Sequence, residues 1–290
     1  MNERGAFFVK KKPDYPAFLF LFRIILNLWN GFCTYTIQNQ EKNMKKTILL
    51  LTVLLLPLAG RAQKSPYDSV ALTILDHMGY IIGDMGSVVF DYRAAWDIPG
   101  EEFQMMQMSA RSRVYLQGPD KLFIENRRND NKHRGFWYNG SKFVYYSYDE
   151  NNYAEMDAPY GIMPTIDTIN KLYGVDFPGA DFFYPTFTDD LIDQCDRIMY
   201  LGRQTVEGKD CYHIMAYNDK VTIQIWIAAE RLTLPVKFVI YYKQKPGNPQ
   251  YAGIFSGWMV NPVFPQSIFD FVPPPGARKV EIMPRIPLKK

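Results

Sequence analysis

The chain has 290 residues, of which 47% are hydrophobic and 22% charged, an ordinary balance for a globular protein of one or two domains. Its formal charge of +3 misleads: residues 1–62 hold nine of the 33 Lys and Arg and three of the 30 Asp and Glu, so the rest keeps 24 bases and 27 acids, a net of −3. That balance leaves no overall basic charge from which to argue nucleic-acid binding, and no nucleic-acid partner is expected.

From Met44 the sequence reads "MKKTILLLTVLLLPLAGRAQK", two lysines, an apolar run from Ile48 to Leu58 and small residues ending at Ala62. This is the order of a secretory signal peptide, and the run is too short to span a bilayer, where about twenty residues are needed. Cleavage between Ala62 and Gln63 is expected, with export to the periplasm. Residues 1–43 are read as a gene-start error or an N-terminal extension, with a membrane anchor in "PAFLFLFRIILNLWNGF" as the alternative. Residues 1–62 are therefore set apart, and 63–290 are expected to form a single domain.

In residues 66–82 the apolar positions Val70, Ile74, Leu75, Met78 and Ile81 follow a 3.6-residue period, which predicts one amphipathic helix. Short runs rich in Val, Ile, Tyr, Phe and Trp then alternate with turn residues, predicting strands near 86–97, 103–116, 120–127, 134–138, 141–149 and 152–157. Residues 160–195 break the pattern with prolines and two short helical segments, 165–173 ended by Gly174 and 187–195, and form a helical insertion. Strands resume near 198–206, 210–217, 220–228, 234–243 and 251–260, and the Pro-rich tail is expected to cover the sheet edge. The fold class is mainly β (α+β): a single curved antiparallel sheet of about eleven strands, an open half-barrel with an N-terminal helix and a short helical lid.

Alternation sorts the faces, because successive side chains point to opposite sides. Val88, Phe90, Tyr92, Ala94 and Trp96 share the apolar face with Met106, Met108, Val114, Leu116, Leu122 and Ile124. The hairpin "IQIWIAAERLTLPVKFVIYY" adds Val221, Ile223, Ile225, Ile227, Val236, Phe238, Ile240 and Tyr242, and leaves Trp226 outside with Thr222, Gln224, Lys237 and Val239. A long sheet with one oily face and little helix to cover it predicts a lined pocket. The inner residues expected to line it are Phe90, Tyr92, Trp96, Met106, Met108, Ile223, Ile225, Phe238 and Ile240.

Catalytic and metal motifs are missing: three histidines, His77, His133 and His213, occur without HExxH, GxSxG, CxxC or P-loop spacing. No enzyme, cofactor or metal is expected, although a polar cluster around His133 or His213 would be the place to look for a hydrolase. Cys211 and His213 share a strand face and are read as a packed thiol and a hydrogen-bonded imidazole, and Asp167 and Asp181 as capping or loop-ordering groups. Cys195 and Cys211 lie near a hairpin turning at "EGKD", whose register does not set them opposite each other; a disulfide and two buried thiols both stay open.

The segments "FWYNGSKFVYYSYDENNYAEMDAP" (136–159), "TIDTINKLYGVDFPGADFF" (165–183), "YLGRQTVEGKDCYHIMAY" (200–217), "VTIQIWIAAERLTLPVKFVIYYK" (221–243) and "FDFVPPPGA" (269–277) resemble, in this order, the predicted periplasmic proteins of domain of unknown function 2092. That family is similar to the LolA/LolB-like superfamily of lipoprotein carriers and sensors. The resemblance implies a binding or carrier protein holding a lipid, acyl chain or lipoprotein segment on the concave face. The alternative it implies is an envelope module with a filled core that binds a protein partner.

Overall fold

The computed structural model describes residues 65–100, 105–177 and 179–285. Its first element, α1 (Ser69–Gly83), starts where the Asp68 carboxylate accepts from the Val70 N–H at 2.8 Å, and buries Ala71, Leu75, Met78 and Ile82. Leu75 and Met78 are buried as the spacing suggests, whereas at the two ends Ala71 and Ile82 are buried in place of Val70 and Ile81, and Val70 is 49% exposed.

Six strands follow as a meander: β1 (Ser87–Pro99), β2 (Met105–Gln117), β3 (Lys121–Arg128), β4 (His133–Tyr138), β5 (Lys142–Ser147) and β6 (Asn152–Asp157). The chain then forms α2 (Ile162–Tyr173), a 3-10 turn at Ala180–Phe183 and α3 (Phe187–Gln194). Gly174 ends α2 in the left-handed region, φ 66°, with its N–H on Asn170 O. A second meander completes the sheet: β7 (Arg197–Val206), β8 (Lys209–Tyr217), β9 (Val221–Ala228), β10 (Pro235–Tyr242) and β11 (Gln250–Val260), with a two-residue strand β12 (Arg278–Lys279) in the tail.

These twelve strands form one open curved sheet in the order β12-β6-β5-β4-β3-β2-β1-β11-β10-β9-β8-β7, antiparallel except for the parallel pair β12 and β6. The sheet matches the expected open half-barrel of about eleven strands, and the tail covers the edge of β6 by pairing with it as a short twelfth strand. Topology explains the insertion. The chain leaves the sheet at β6 and re-enters at β7 on the opposite side, so residues 158–196 have to cross one face from edge to edge.

That face carries the main core. Val88, Phe90, Tyr92, Val114, Leu122, Ile214, Ile225 and Phe238 pack there with Leu75 and Met78 of α1, Ile166 and Ile169 of α2, and Phe187 and Leu191 of α3. The opposite face is also apolar in places, which one-sided alternation does not suggest. Tyr115 stacks on Phe123 and Phe123 on Trp137, and the tail covers them with Phe264 on Tyr115 and Phe271 on Trp137. Around Trp226 a second cluster gathers Cys211, Ala228, Val236 and Val239.

Val236 is a correction: it belongs to this outer cluster and not to the inner face. The pairing of β9 with β10 slips between Pro235 and Lys237, so one extra residue reverses the side on which Val236 points.

Candidate functional site

The nine inner residues picked from alternation divide into two zones on the concave face. Phe90, Tyr92, Ile225 and Phe238 lie fully beneath the insertion and are buried. Phe183 stacks on Phe90 with centroids 5.6 Å apart, Phe182 meets Phe238 at 5.2 Å and Phe255 at 5.5 Å, and Phe177 meets Phe136 at 5.7 Å. Aromatic pairs at these spacings fill volume and stabilise one another beyond their area burial. The insertion therefore plugs the centre of the concave face with its own rings.

Local hydrogen bonds hold the plug in place. The buried Tyr138 hydroxyl donates to Pro159 O at 2.7 Å and accepts from the Gly161 N–H at 2.8 Å, while Thr165 Oγ1 donates to the same carbonyl at 2.9 Å. Tyr184 donates to Asp167 at 2.6 Å, tying α2 to the loop before α3, a loop-ordering use of that carboxylate. At the far end the Tyr67 hydroxyl reaches Ile192 O and Cys195 O at 3.1 and 3.2 Å.

The second zone is different. Met108, Trp96, Tyr251, Ile240 and Ile223 are consecutive cross-strand partners from β2 through β1, β11 and β10 to β9. All five are only partly buried, and Met106, beside this row on β2, is 51% exposed. With strands about 4.8 Å apart, four steps make an apolar ledge roughly 19 Å long. Trp96 stacks on Tyr251 at 6.4 Å, and the Tyr251 and Tyr92 hydroxyls share a hydrogen bond of 2.9 Å. Burial and this neighbouring phenol hold the Tyr92 hydroxyl well above the usual tyrosine range, so it stays neutral.

Tyr251 is the member of the ledge that alternation alone did not single out; its register opposite Trp96 was the missing signal. Beyond Ile223 the row continues into the buried Ala216 and Ile198, next to α1.

The titratable groups named from the sequence lie elsewhere. His213 is on the outer face, stacked on Trp226 with centroids 4.5 Å apart, its Nε2 3.0 Å from Gln224 Oε1. Its Nδ1 is buried without a partner among the described residues, and burial lowers its pKa. Trp226 donates from Nε1 to Gln204 at 2.9 Å and lies beneath the Lys237 ammonium at 5.3 Å. His133 is separate again, with Nε2 2.8 Å from Glu125 and its ring stacked on Tyr148 at 3.7 Å.

Cys195 and Cys211 are both free and buried, one in the main core and one in the outer cluster. Among the described residues, no group of three or more His, Cys, Asp or Glu could hold a metal ion, and no helix is long and apolar enough to cross a membrane. The expected cleavage site at Ala62 and Gln63 and the extension 1–43 lie outside the described residues.

A family model described as "Predicted periplasmic protein (DUF2092)" matches residues 71–283. Comparison with curated proteins gives no match. Among solved structures, the chain is similar to lipoprotein LppX from Mycobacterium tuberculosis, at 13% identity and a TM-score of 0.42, over 68% of this chain and 98% of that one. An uncharacterized conserved protein from Thermus thermophilus aligns at 10% identity and a TM-score of 0.41 over 73% and 99% of the two chains. The LolA superfamily protein NE2245 from Nitrosomonas europaea aligns at 10% identity and a TM-score of 0.28 over 69% and 97%.

Proposed function

The chain belongs to the family of predicted periplasmic proteins of domain of unknown function 2092, and from that premise we propose that it is a non-enzymatic periplasmic binding or carrier protein. Its ligand is an acyl chain, a lipid or an apolar lipoprotein segment laid along the ledge Met108, Trp96, Tyr251, Ile240 and Ile223. The observation that carries this reading is the contrast between the two zones of the concave face: the centre is plugged, and the ledge stays partly open.

Burial supplies the driving force. Covering roughly 300 Å² of apolar surface is worth about 7 kcal/mol at ~25 cal/mol per Å², before the cost of ordering the ligand. The exposed thioether of Met106 at the β2 end suits a surface that adapts to ligands of different shape. Phe90, Tyr92, Ile225 and Phe238 then support the ledge from beneath the insertion instead of touching the ligand. Residues 63–290 act as a single domain, released by cleavage after Ala62; N-terminal sequencing of exported protein returning Gln63 as the first residue checks that step.

Gentle purification followed by lipid mass spectrometry, with titration of a fluorescent fatty acid, tests the carrier reading. Wild-type protein takes up the probe and Ile240→Glu does not, with both folded by circular dichroism. Wild-type protein that carries no lipid and takes up no fatty acid removes the reading. The plugged centre favours the second reading in that event, an envelope interaction or sensor module whose concave face is core.

A further inference from the structure

On the outer face of β1, β2 and β3, opposite the ledge, lies a polar cleft of about 420 Å³ lined by Asp91, Arg93, Arg111, Arg113, Glu125 and Arg127, with Ser256 at its side. The register places Arg93, Arg111 and Arg127 directly opposite one another on three adjacent strands. Like charges in such positions are destabilising. The outer two are partly compensated: Arg93 bonds Glu207 from the β7–β8 turn at 2.5 Å, and Arg127 bonds Glu125 at 2.8 Å. On the neighbouring row Arg113 is held by Asp91 at 2.8 Å. The Arg111 guanidinium makes no ion pair or hydrogen bond among the described residues, although it sits in the middle of the row.

We propose that this cleft binds a phosphate group, carried either by a soluble phosphate compound or by the headgroup of an anionic phospholipid, with Arg111 as the central donor. Each guanidinium has five N–H groups, and Arg93 and Arg127 each commit only part of theirs to their carboxylates. A tetrahedral phosphate offers oxygens in several directions at once and can accept from all three arginines, whereas a carboxylate offers two oxygens in one plane. Counting the lining residues with Glu207, four arginines face three carboxylates, so the uncompensated charge is that of Arg111. Asp91 holds Arg113 and Glu125 holds Arg127, and neither forms an ion pair with Arg111. The cleft lies on the other side of the sheet from the apolar ledge and stands independently of the carrier reading.

Calorimetric titration of the full chain with inorganic phosphate and with glycerol 3-phosphate at low salt tests the site, beside co-sedimentation with phosphatidylglycerol and pure phosphatidylcholine vesicles. Binding with one site per chain is expected, weakened roughly tenfold or more by Arg111→Gln and unchanged by Lys171→Gln, which removes a surface charge on α2. Phosphatidylglycerol binding that glycerol 3-phosphate displaces assigns the group to a lipid headgroup; binding of soluble phosphate without vesicle binding assigns it to a soluble compound. The proposal is overturned if neither phosphate nor vesicle binds, if Arg111→Gln binds as tightly as wild type, or if acetate at matched ionic strength competes equally well.

Discussion

The imidazole of His213 lies face to face on the indole of Trp226, with ring centroids 4.5 Å apart and planes 9° from parallel. The neutral tautomer protonated on Nε2 donates to Gln224, and the bare Nδ1 is buried with no partner among the described residues. A second proton would create a buried N–H without an acceptor, beneath the same indole that carries the Lys237 ammonium. Desolvation is the main reason the His213 pKa falls, and the Gln224 contact opposes it only in part.

The sign of the pH dependence follows. Well above about pH 6.5 the imidazole is neutral whether the chain is folded or not, and His213 contributes no slope. As the pH falls below that value the unfolded chain takes up a proton that the folded one refuses, so stability drops until the depressed folded pKa is passed. Urea midpoints measured between about pH 7 and pH 5 should fall for wild type and fall less for His213→Asn.

Gly253 on β11 faces the rings of the plugged core. A Cβ built there collides with the Phe238 ring and comes 2.5 Å from the Tyr92 hydroxyl, neither of which has room to retreat. Gly253→Ala should cost about 1–3 kcal/mol by overpacking, read as a lower thermal midpoint. Ile225→Ala, at a site with no exposure, should cost about 2–5 kcal/mol through the cavity it leaves.

Both described cysteines should behave as inert thiols. Burial pushes the Cys195 thiol up to about 11 and raises that of Cys211 as well, so neither presents a thiolate near neutral pH. Alkylation followed by peptide mapping should label neither position in native protein and both after denaturation. A disulfide between them in exported protein would contradict the separation of the two clusters.

Phe269 anchors the tail with no exposed surface, and Phe271 meets Trp137, Tyr146 and Tyr153. Phe269→Ala should destabilise the chain by about 3–5 kcal/mol and open residues 264–279 to limited proteolysis.

Much of this architecture was legible in the sequence, for identifiable reasons. Eleven strands and three helices stood within a few residues of their observed bounds, because Gly174, the Asn139–Gly140 turn and the period-two alternation each have a local physical cause. Sidedness failed where local cause was not enough. Val236 changed face through a slip that only pairing with β9 reveals. Tyr115, Phe123 and Trp137 went unplaced because β2 to β4 are apolar on both sides there, so alternation has no contrast to read. The insertion was recognised as helical, yet its role as a plug depends on the sheet order, which sends residues 158–196 across the concave face. Five ledge residues came together through register; the arginine row did the same, and nothing in the spacing of Arg93, Arg111 and Arg127 along the chain announces it.

The short strand β12 bears on how the chain is made. Residues 278–279 follow every other strand in the chain, and among the described residues they alone supply strand partners for the outer side of β6. During synthesis from the N-terminus, β6 therefore waits with an open row of backbone donors and acceptors while five further strands are added at the other end of the sheet. Such an edge is a template for joining another copy, so the interval before the tail docks is when nascent molecules are most vulnerable to one another.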